Sequence, residues 1–550
     1  MVKRKWLAGL LSILLVASLA LAGCGSTENA QQPGNQSSGG DAKPSEPQVL
    51  NLNINSEPPS LLPTKATDST SGLVLIHVME GLTRLGEDGE PKPGIAEKWD
   101  ISDDGLTYTF HLRKDAKWSD GQPVTAHDFE YAWKKLLDPN SAADYAYQLY
   151  YLKNGQKYNE GKAKADDVGV KALDDHTLQV TLEKPTPYFL SLTAFYALFP
   201  IPKHVDEKNP NWHKEASTYV SNGPFVLAEW VHDSKIVLKK NPNYWAANEV
   251  KLEQINMAMV NDENTEYQMF ETGQLDVASP PTDLTKQLID EGKAKVSPYF
   301  GTYYLVFNTK DKILSNAKIR KALALAIDRK LLVENVLQGG QVPALGFVPP
   351  GAPGVQDDFR KEQGDLFKDN DVETAKKLLQ EGLQELGLKK LPPIEYKFNT
   401  NQGHQKIAEA IQQMWKQNLG IEVKLSNEEW KVYLDSIDQG KFQVGRMGWI
   451  GDYIDAMTFM DLFVTGGGNN YPKWSNKKYD ELIEKAKSSN DQAERTKAMQ
   501  EAEKILIDEM PIVPIYFYTR VYMEKPYVKG AVRNVIMETD YSRAWIEGKQ

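Results

Sequence analysis

Residues 441–459 read KFQVGRMGWIGDYIDAMTF, and this stretch decides how the rest of the chain is interpreted. It begins as a predicted strand with Phe442 and Val444 on one face, because successive side chains point to opposite faces of a sheet. The strand continues through Gly448 and ends at the turn-prone pair formed by Gly451 and the following aspartate. The pattern therefore predicts a strand that delivers a carboxylate to the edge of a sheet.

Two interpretations of this stretch remain open from its residues alone. In the first, the stretch forms the mouth of a cleft: Gly448 allows another backbone to approach closely, and Asp452 holds the α-ammonium of a peptide. In the second, the stretch is a buried strand followed by an ordinary Asx turn. Asp455 is in position to cap a short helix that starts at Ala456.

The N-terminus resembles a bacterial lipoprotein signal. Residues 1–6 carry three basic side chains, Leu7–Leu21 is an apolar and small-residue run, and Leu-Ala-Gly-Cys follows at once. The run is shorter than the ~20 residues that span a bilayer. The resemblance implies a signal peptide, residues 1–23, cleaved before Cys24, with lipid (palmitate) on Cys24. The alternative is that Cys24 is a buried free thiol.

Composition narrows the class of protein further. Cys24 is the only cysteine of the 550 residues, so there is no disulfide framework and no cysteine-based metal site. Loss of the leader's three basic residues changes the formal net charge from −11 to −14, which argues against nucleic acid as a partner. Residues 24–47 are rich in Gly, Ser, Gln and Pro and are predicted to be a flexible linker.

Periodicity predicts strands and helices in alternation, which favours an α/β protein. Strands are predicted at 49–54, 106–112 and 174–182. Helices are predicted at 125–137, 317–332, 374–386, 405–419, 479–487 and 492–508. Thr125 or Asp128 is expected to start the first of these helices, and Ser315 or Asn316 the second.

Six motifs, in order, resemble the large oligopeptide- and dipeptide-binding proteins of ABC importers. They are AKWSDGQPVTAHDFEYAWKKLLDP (116–139), NGPFVLAEW (222–230), KNPNYW (240–245), IRKALALAIDR (319–329), GWIGDY (448–453) and VPIYFY (513–518). One such match arises by chance easily, whereas an ordered set along the whole mature chain is specific.

The resemblance implies a two-lobed, periplasmic-binding-protein-like α/β fold of the large peptide-binding type, with an additional domain in the first lobe. By analogy, domain I comprises residues 48–79, 203–301 and 520–550, domain II residues 80–202, and domain III residues 302–519. The crossings near Gly301 and Arg520 are expected to act as hinges.

The resemblance also assigns a binding site. It implies that Asp452 captures the α-ammonium of the ligand. The residues implied to pair with the peptide backbone are Gly448, Trp449 and Ile450 on one side and Thr67 and Ser69 on the other. Tyr145 and Tyr518 match tyrosines that reach the ligand, although strand preferences alone would make them a half-buried sheet edge. Trp430 is expected in a side-chain pocket, with a core position as the alternative.

The resemblance also suggests two residues for the C-terminal end of the peptide. Arg446 and His404 match positions near the peptide's C-terminus, but an internal carboxylate partner for Arg446 and a surface-cap role for His404 are equally compatible with the sequence. Some relatives carry cleft-side cysteines where this chain has Gly301 and Ile450. Some carry cations for the peptide C-terminus where this chain has Leu337 and Ile437, so the preferred ligand length is left open.

Enzymatic motifs are absent from the sequence. There is no HExxH, no Gly-x-Ser-x-Gly elbow and no phosphate-binding GK[ST], so no catalytic residue, metal or cofactor is predicted. The predicted function is a monomeric receptor, lipid-anchored on the extracellular face of a Gram-positive bacterium, that passes short peptides to an ABC permease. The alternatives are an oligosaccharide or nickel chelate in the same cleft, a surface-anchored hydrolase, or a receptor for signalling peptides.

Overall fold

The computed structural model describes residues 46–549. The predicted signal peptide, Cys24 and the linker up to residue 45 lie outside these residues. Strands and helices alternate along the described chain, which confirms the predicted α/β class. Among residues 46–549, no helix combines the length and the apolar character needed to cross a bilayer.

The first part of the described chain supplies the strands and helices up to residue 290. The strands are β1 (Val49–Asn53), β2 (Thr83–Leu85), β3 (Pro91–Pro93), β4 (Ala96–Ile101), β5 (Thr107–Leu112), β6 (Val170–Asp174), β7 (Thr177–Thr181), β8 (Phe225–Val231), β9 (Lys235–Lys240), β10 (Gln254–Ala258) and β11 (Val277–Ala278). The helices are α1 (Ser69–Val78), α2 (Ala126–Leu137), α3 (Gly155–Asn159), α4 (Phe189–Leu192), α5 (Lys203–Asp206), α6 (Glu263–Glu271) and α7 (Thr285–Asp290).

The second part contains longer helices and the two longest strands. The strands are β12 (Ala294–Phe307), β13 (Val342–Pro343), β14 (Ile394–Asn399), β15 (Val423–Glu428), β16 (Val444–Ile450), β17 (Ile512–Glu524), β18 (Val528–Lys529) and β19 (Trp545–Ile546). The helices are α8 (Ala317–Leu325), α9 (Arg329–Leu331), α10 (Phe359–Gln363), α11 (Val372–Glu385), α12 (Gln402–Leu419), α13 (Trp430–Asp438), α14 (Met457–Met460), α15 (Lys477–Ser488) and α16 (Gln492–Glu509).

The largest sheet runs through both parts of the chain. Its strand order is β15-β14-β16-β12-β17-β11-β1-β10-β9-β8, and β13 also pairs with β17. A separate four-stranded sheet has the order β4-β5-β7-β6. We call β1–β11, β18, β19 and α1–α7 the first lobe, and β13–β16 with α8–α16 the second lobe; β12 and β17 belong to both.

The pairing of β12 with β17 is interrupted where the lobes meet. Residues 294–298 pair with 519–523, and the ladder resumes only at Thr302 opposite Phe517. Residues 299–301 therefore lie outside the ladder. The break includes Gly301 and adjoins Arg520, the two predicted hinge positions, and an irregular pair of strands bends more readily there than a continuous ladder.

Beyond this break, β12 is held rigidly because its two faces pack into different cores. Tyr303, Leu305 and Phe307 belong to the apolar core of the second lobe, with side chains of α8 and α12. On the other face, the ring of Tyr304 meets that of Phe347 edge to face, with 5.1 Å between centroids. The strand next to it, β16, is thereby fixed in position.

Most of the predicted elements are confirmed. Thr125 and Asp128 form a capping box at the start of α2, and the side chain of Asn316 accepts the N–H groups of the first turn of α8. The helix predicted over 317–332 is wrong in its second half. It ends at Leu325, because Asp328 caps a new short helix and the buried guanidinium of Arg329 turns back to the carbonyls of the preceding turn.

Candidate ligand-binding site

A cavity of about 590 Å³ lies between the two lobes. Its walls come from the start of α1, the 3₁₀ turn at 144–149, residues 194–196, β16 with the turn that follows it, and the middle of β17. Of the predicted site residues, those that line the cavity are Thr67, Ser69, Tyr145, Trp430, Arg446, Gly448, Trp449, Ile450, Asp452 and Tyr518. His404 does not.

Asp452 is a buried acid of this cavity, with 8% of its surface exposed. Its Oδ2 accepts a hydrogen bond from Nε2 of Gln148 at 2.6 Å, and its Oδ1 one from the hydroxyl of Tyr145 at 3.4 Å. Burial raises the pKa of Asp452 well above its ordinary value, and the nearby Asp461 raises it further, whereas these two hydrogen bonds lower it. No Lys, Arg or His of residues 46–549 lies within 4 Å of the carboxylate.

The acids beside Asp452 are paired within the chain. Asp455 forms a two-pronged ion pair with Arg495 at 3.0–3.1 Å, and Asp461 pairs with Lys487 at 3.0 Å. Asp455 also accepts the N–H of Met457, but the short helix begins at Met457 with Ala456 as its N-cap residue, so the prediction that Asp455 caps a helix from Ala456 is wrong by one residue. A buried charge without a partner is unfavourable. The carboxylate of Asp452 is therefore placed to receive a cation from outside the chain.

Strand β16 presents a free backbone edge to the cavity. On one side it pairs with β12 from Val444 to Ile450, but on the other side β14 reaches only Val444 and Gly445. Gly451 donates its N–H to a carbonyl of β12, so the residues on the β12 side are 445, 447 and 449. The amide groups of Gly448 and Ile450 consequently point away from β12, where no described strand pairs with them.

The loop before α1 offers a second set of free amides. Asp68 has extended backbone (φ −133°, ψ 161°) and caps α1 by accepting the N–H groups of Thr70 and Ser71. No group within residues 46–549 accepts the N–H of Thr67 or Ser69. Free N–H groups therefore line the cavity from both lobes.

The missing side chain of Gly448 was expected to let another backbone lie against this face of the strand. In the structure, the side chain of Tyr518 lies there instead. A Cβ added at Gly448 would lie 2.4 Å from the hydroxyl oxygen of Tyr518, so the missing side chain makes room for this tyrosine. Tyr145 is on a 3₁₀ turn and not at a sheet edge, and it is 3% exposed. Gly301 and Ile450, the matched cysteine positions of some relatives, pair directly across β12 and β16.

Within residues 46–549, Arg446 has only neutral partners. Its Nη2 donates to the hydroxyl of Tyr518 at 3.0 Å, its Nη1 to Oδ1 of Asn399 at 3.3 Å, and its guanidinium lies 4.8 Å from the ring centre of Tyr303. The buried Nε finds no acceptor within residues 46–549. The internal carboxylate considered from the sequence is therefore not the partner of Arg446 in this structure.

His404 lies behind the cavity wall. It belongs to the first turn of α12, which begins earlier than predicted and is capped by Asn401, so the surface-cap alternative is wrong. Its ring centroid is 5.6 Å from that of Tyr303. Burial lowers the pKa of His404 well below its ordinary value, and the charge of Arg446 adds to this effect, so the imidazole is neutral.

Trp430 joins the two lobes beside the cavity. Its Nε1 donates to Oδ2 of Asp68 at 2.8 Å, and its ring is stacked at 6.2 Å on Tyr433. Asp68 and Gln148 were not predicted from the sequence. The sequence at Asp68 carries an N-cap pattern, but that local pattern indicates only the start of helix α1 and not a position in the cavity wall. Gln148 had no local signal, because its partner Asp452 is 304 residues away in the chain.

Other contacts also hold the lobes together. Oε1 of Glu263 accepts the N–H of Gly403 at 3.0 Å, and Oε1 of Gln402 accepts the N–H of Glu263 at 3.1 Å. The rings of Tyr188 and Tyr453 stack at 4.2 Å. These contacts cross between the lobes, so the cavity is covered in this conformation.

The chain matches the family model of bacterial extracellular solute-binding proteins, family 5, over residues 90–471. It therefore belongs to the family 5 bacterial extracellular solute-binding proteins. These are the substrate-binding proteins of ABC transporters and not enzymes, which confirms the prediction that the protein has no catalytic function.

Individual relatives agree along the full described chain. The oligopeptide-binding protein OppA of Bacillus subtilis is 45% identical over 99% of this chain and 100% of its own length. The solved structure of Listeria monocytogenes OppA bound to peptide is 37% identical, has a TM-score of 0.88, and is matched over 92% of this chain and 100% of that one. The predicted two-lobed fold of the large peptide-binding type is thereby confirmed.

Two structures of the murein tripeptide-binding protein MppA allow the arrangement of the lobes in this protein to be compared with an open form. The structure from Escherichia coli is 36% identical, has a TM-score of 0.83 and covers 91% of this chain and 99% of that one. For the unliganded open form, at 36% identity and coverage of 91% and 98%, the TM-score falls to 0.60. Since identity and coverage barely differ, the lower score indicates that the lobes of this protein are not in the open arrangement.

Glu266 is a further buried acid of the cavity and was not predicted from the sequence. It lies on α6, is 4% exposed, and its Oε1 accepts the N–H of Ser279 at 2.8 Å. Burial, with a smaller contribution from the charge of Glu263, raises its pKa to about 7 against the lowering effect of hydrogen bonds from Ser279 and Asn53. The folded protein therefore binds a proton at Glu266 over a pH range in which the unfolded chain has lost it.

This difference predicts a pH dependence of stability. Between about pH 4.5 and about pH 7 the folded state binds more protons at Glu266 than the unfolded state, so the free energy of unfolding falls as the pH rises. We expect Glu266→Gln to remove up to about 3 kcal/mol of that fall. The measurement is urea unfolding of the peptide-free protein at both ends of this range, with the exposed Glu271→Gln as control. An unchanged pH slope in Glu266→Gln would contradict the prediction.

Proposed function

We propose that this protein binds short peptides in the interlobe cavity and delivers them to an ABC permease. The observation that carries the proposal is the carboxylate of Asp452, which is buried at the cavity wall without a cation from residues 46–549. The α-ammonium of a peptide supplies that charge, and Gln148 and Tyr145 hold the carboxylate in position for it. Hydrogen bonds to charged groups of this kind contribute about 1.5–3 kcal/mol.

The peptide backbone lies between two free edges. Gly448 and Ile450 of β16 offer N–H and C=O groups on one side, and Thr67 and Ser69 offer N–H groups on the other. Pairing of an extended peptide with such edges is independent of its side chains. This arrangement suits a receptor whose cargo varies in sequence.

Arg446 receives the peptide's C-terminal carboxylate. Its guanidinium lines the cavity and has only neutral partners, so its charge is available to a ligand. His404 supports it indirectly, since the neutral imidazole contacts Tyr303, on which the guanidinium lies. His404 therefore acts near the peptide's C-terminal end indirectly, through Tyr303, and does not contact the ligand.

The lobes close over the peptide by bending at the break in the β12–β17 ladder. Domain I (48–79, 203–301 and 520–550), domain II (80–202) and domain III (302–519) then move as the units that the sequence suggested. The hydrogen bond from Trp430 to Asp68 forms on closure, because the two side chains belong to different lobes. The closed form is the one that docks on the permease.

The proposed location is the outer face of the membrane of a Gram-positive bacterium, with lipid on Cys24 as the anchor and residues 24–47 as the tether. The leader sequence and the similarity to a Bacillus subtilis protein support this location. The protein acts as a monomer with one cavity per chain.

Asp452→Asn tests the capture of the ammonium. The substitution keeps the size of the side chain and one acceptor oxygen but removes the charge, so the dissociation constant for free peptides should rise about 30-fold to several thousand-fold, from a cost of about 2–5 kcal/mol for an unpaired buried charge. N-acetylated peptides should bind both proteins about equally. Isothermal titration calorimetry measures both, with Asp508→Asn on the exposed surface as control. Equal losses for free and acetylated peptides would rule out the role of Asp452.

Arg446→Gln tests the other end of the ligand. Peptides with a free C-terminus should bind about 10- to 100-fold more weakly, because a charge-assisted bond is lost. C-terminally amidated peptides should be nearly unaffected, and Arg446→Lys should restore part of the affinity. Competition against a fluorescent peptide gives these ratios. If amidated and free peptides lose the same affinity, Arg446 serves only the packing of Tyr303 and Tyr518.

Cys24→Ser tests the anchor. The wild-type protein expressed in a Gram-positive host should partition into the detergent phase of a Triton X-114 extract, because acyl chains bury many CH₂ groups. The variant, which has no sulfur to acylate, should remain in the aqueous phase or the medium. Detergent partition of the variant equal to that of the wild type would refute lipidation at Cys24.

A further inference from the structure

Three successive glycines, residues 466–468, lie in the second lobe between α14 and α15. We call residues 464–471 the glycine loop. Gly466 has a φ of 75°, in the left-handed region that favours glycine, so the backbone of the loop explains this residue. Gly468 does not have a positive φ, and it does not line the cavity. The absence of a side chain at this position therefore has another cause.

Gly468 lies against the backbone of the first lobe. A Cβ added at this glycine would lie 2.7 Å from the Cα and 2.9 Å from the carbonyl carbon of Asp144, and closer still to the carbonyl oxygen. Carbon atoms in van der Waals contact are about 3.5–4.0 Å apart. The atoms of Asp144 belong to the main chain and do not move aside as the end of a flexible side chain does. The lobes therefore come this close only because residue 468 is glycine.

The glycine loop is held in place by its own lobe. Asn470 is 2% exposed, and its Nδ2 donates to the carbonyl oxygens of Val464 at 3.1 Å and Trp474 at 2.8 Å. Its Oδ1 accepts the N–H of Trp474 at 3.2 Å. A buried network that is satisfied in this way is rigid. A methyl group at residue 468 is therefore accommodated only if the segment that carries Asp144 moves away by about 1 Å.

Asn469 makes a second contact with the same segment of the first lobe. Its Nδ2 donates to the hydroxyl of Tyr147 at 3.2 Å, and both side chains are buried. Asp144 and Tyr147 belong to the 3₁₀ turn Asp144–Leu149, which also carries both donors to the carboxylate of Asp452. The glycine loop thus contacts the segment on which the partners of that carboxylate lie.

We propose that Gly468 is a positioning residue for capture of the α-ammonium: its contact with Asp144 seats the 3₁₀ turn so that both donors reach the carboxylate of Asp452. The inference rests on the proposed peptide-binding function. The two hydrogen bonds, from Gln148 at 2.6 Å and from Tyr145 at 3.4 Å, leave little room for displacement. A movement of about 1 Å breaks the longer bond and weakens the shorter one, since hydrogen bonds are lost beyond about 3.5 Å.

The competing role for this contact is a general one, in which it only holds the closed lobes together and serves all ligands equally. Gly468→Ala separates the two roles when free and N-acetylated forms of one peptide are compared, because only the free form presents an ammonium. Gly467→Ala is the matched control. A Cβ at Gly467 would meet only the carbonyl oxygens of Val464 and Leu462, both in the second lobe, at 3.1 and 3.6 Å.

Isothermal titration calorimetry measures the dissociation constants. Gly468→Ala should bind the free peptide about 10- to 100-fold more weakly than Gly467→Ala does, because charge-assisted hydrogen bonds at Asp452 are lost. For the N-acetylated peptide, the two variants should differ by less than about threefold. Thermal unfolding of both variants without peptide shows whether they are folded.

Tyr147→Phe reaches the same contact from the first lobe. It removes the hydroxyl that accepts the N–H of Asn469 and keeps the buried ring. The affinity for the free peptide should fall about 2- to 10-fold, as for one neutral hydrogen bond, and the affinity for the acetylated peptide should not change. This variant decides the question if Gly468→Ala does not fold, and an unchanged affinity for the free peptide would then overturn the inference.

Two results with folded Gly468→Ala would also overturn it. One is an affinity for the free peptide equal to that of Gly467→Ala. The other is an equal loss for the free and the acetylated peptide, which would assign the contact to general closure. Failure of the proposed function is a different outcome, because the wild type itself would then bind neither form, or would bind the free form no more tightly than the acetylated one.

Discussion

A carboxylate enclosed between two lobes without a cation from the described chain is the constraint on which the rest of this structure depends. Burying a charge is unfavourable unless something pairs with it. The chain provides that pairing for Asp455 and Asp461, only a few residues away, through Arg495 and Lys487. At Asp452 it provides only the neutral donors of Gln148 and Tyr145. The site is therefore electrostatically incomplete when empty, and in the proposed function the α-ammonium of a peptide completes it.

In the function proposed above, the same incompleteness couples ligand binding to closure of the lobes. Gln148 and Tyr145 belong to the first lobe, whereas the carboxylate belongs to the second, so the full set of partners exists only when the lobes are together. The lobes are joined by β12 and β17, whose ladder is interrupted at residues 299–301. Beyond this break β12 packs into the core of the second lobe and pairs with β16, which carries the free edge.

Two kinds of recognition are combined in one cavity. The free edges at Gly448 and Ile450 and at Thr67 and Ser69 address groups that every peptide has, and so they set no preference among sequences. Charged side chains do set preferences, because an unmatched charge must lose its hydration. Among the described residues, the charged groups that line the cavity are four acids and two arginines.

The sequence by itself determined the elements and the class of protein. Local signals suffice for these: the alternation in β1, the capping residues Thr125 and Asn316, and motifs whose order follows the family. Through the resemblance it also predicted Asp452 and nine other residues that line the cavity. The tertiary structure alone decided that Arg446 has no internal carboxylate, that His404 lies behind Tyr303, and that Asp68, Gln148 and Glu266 belong to the cavity. The reason is physical: burial and pairing of charges depend on groups brought together from opposite ends of the chain, and no local pattern encodes those distances.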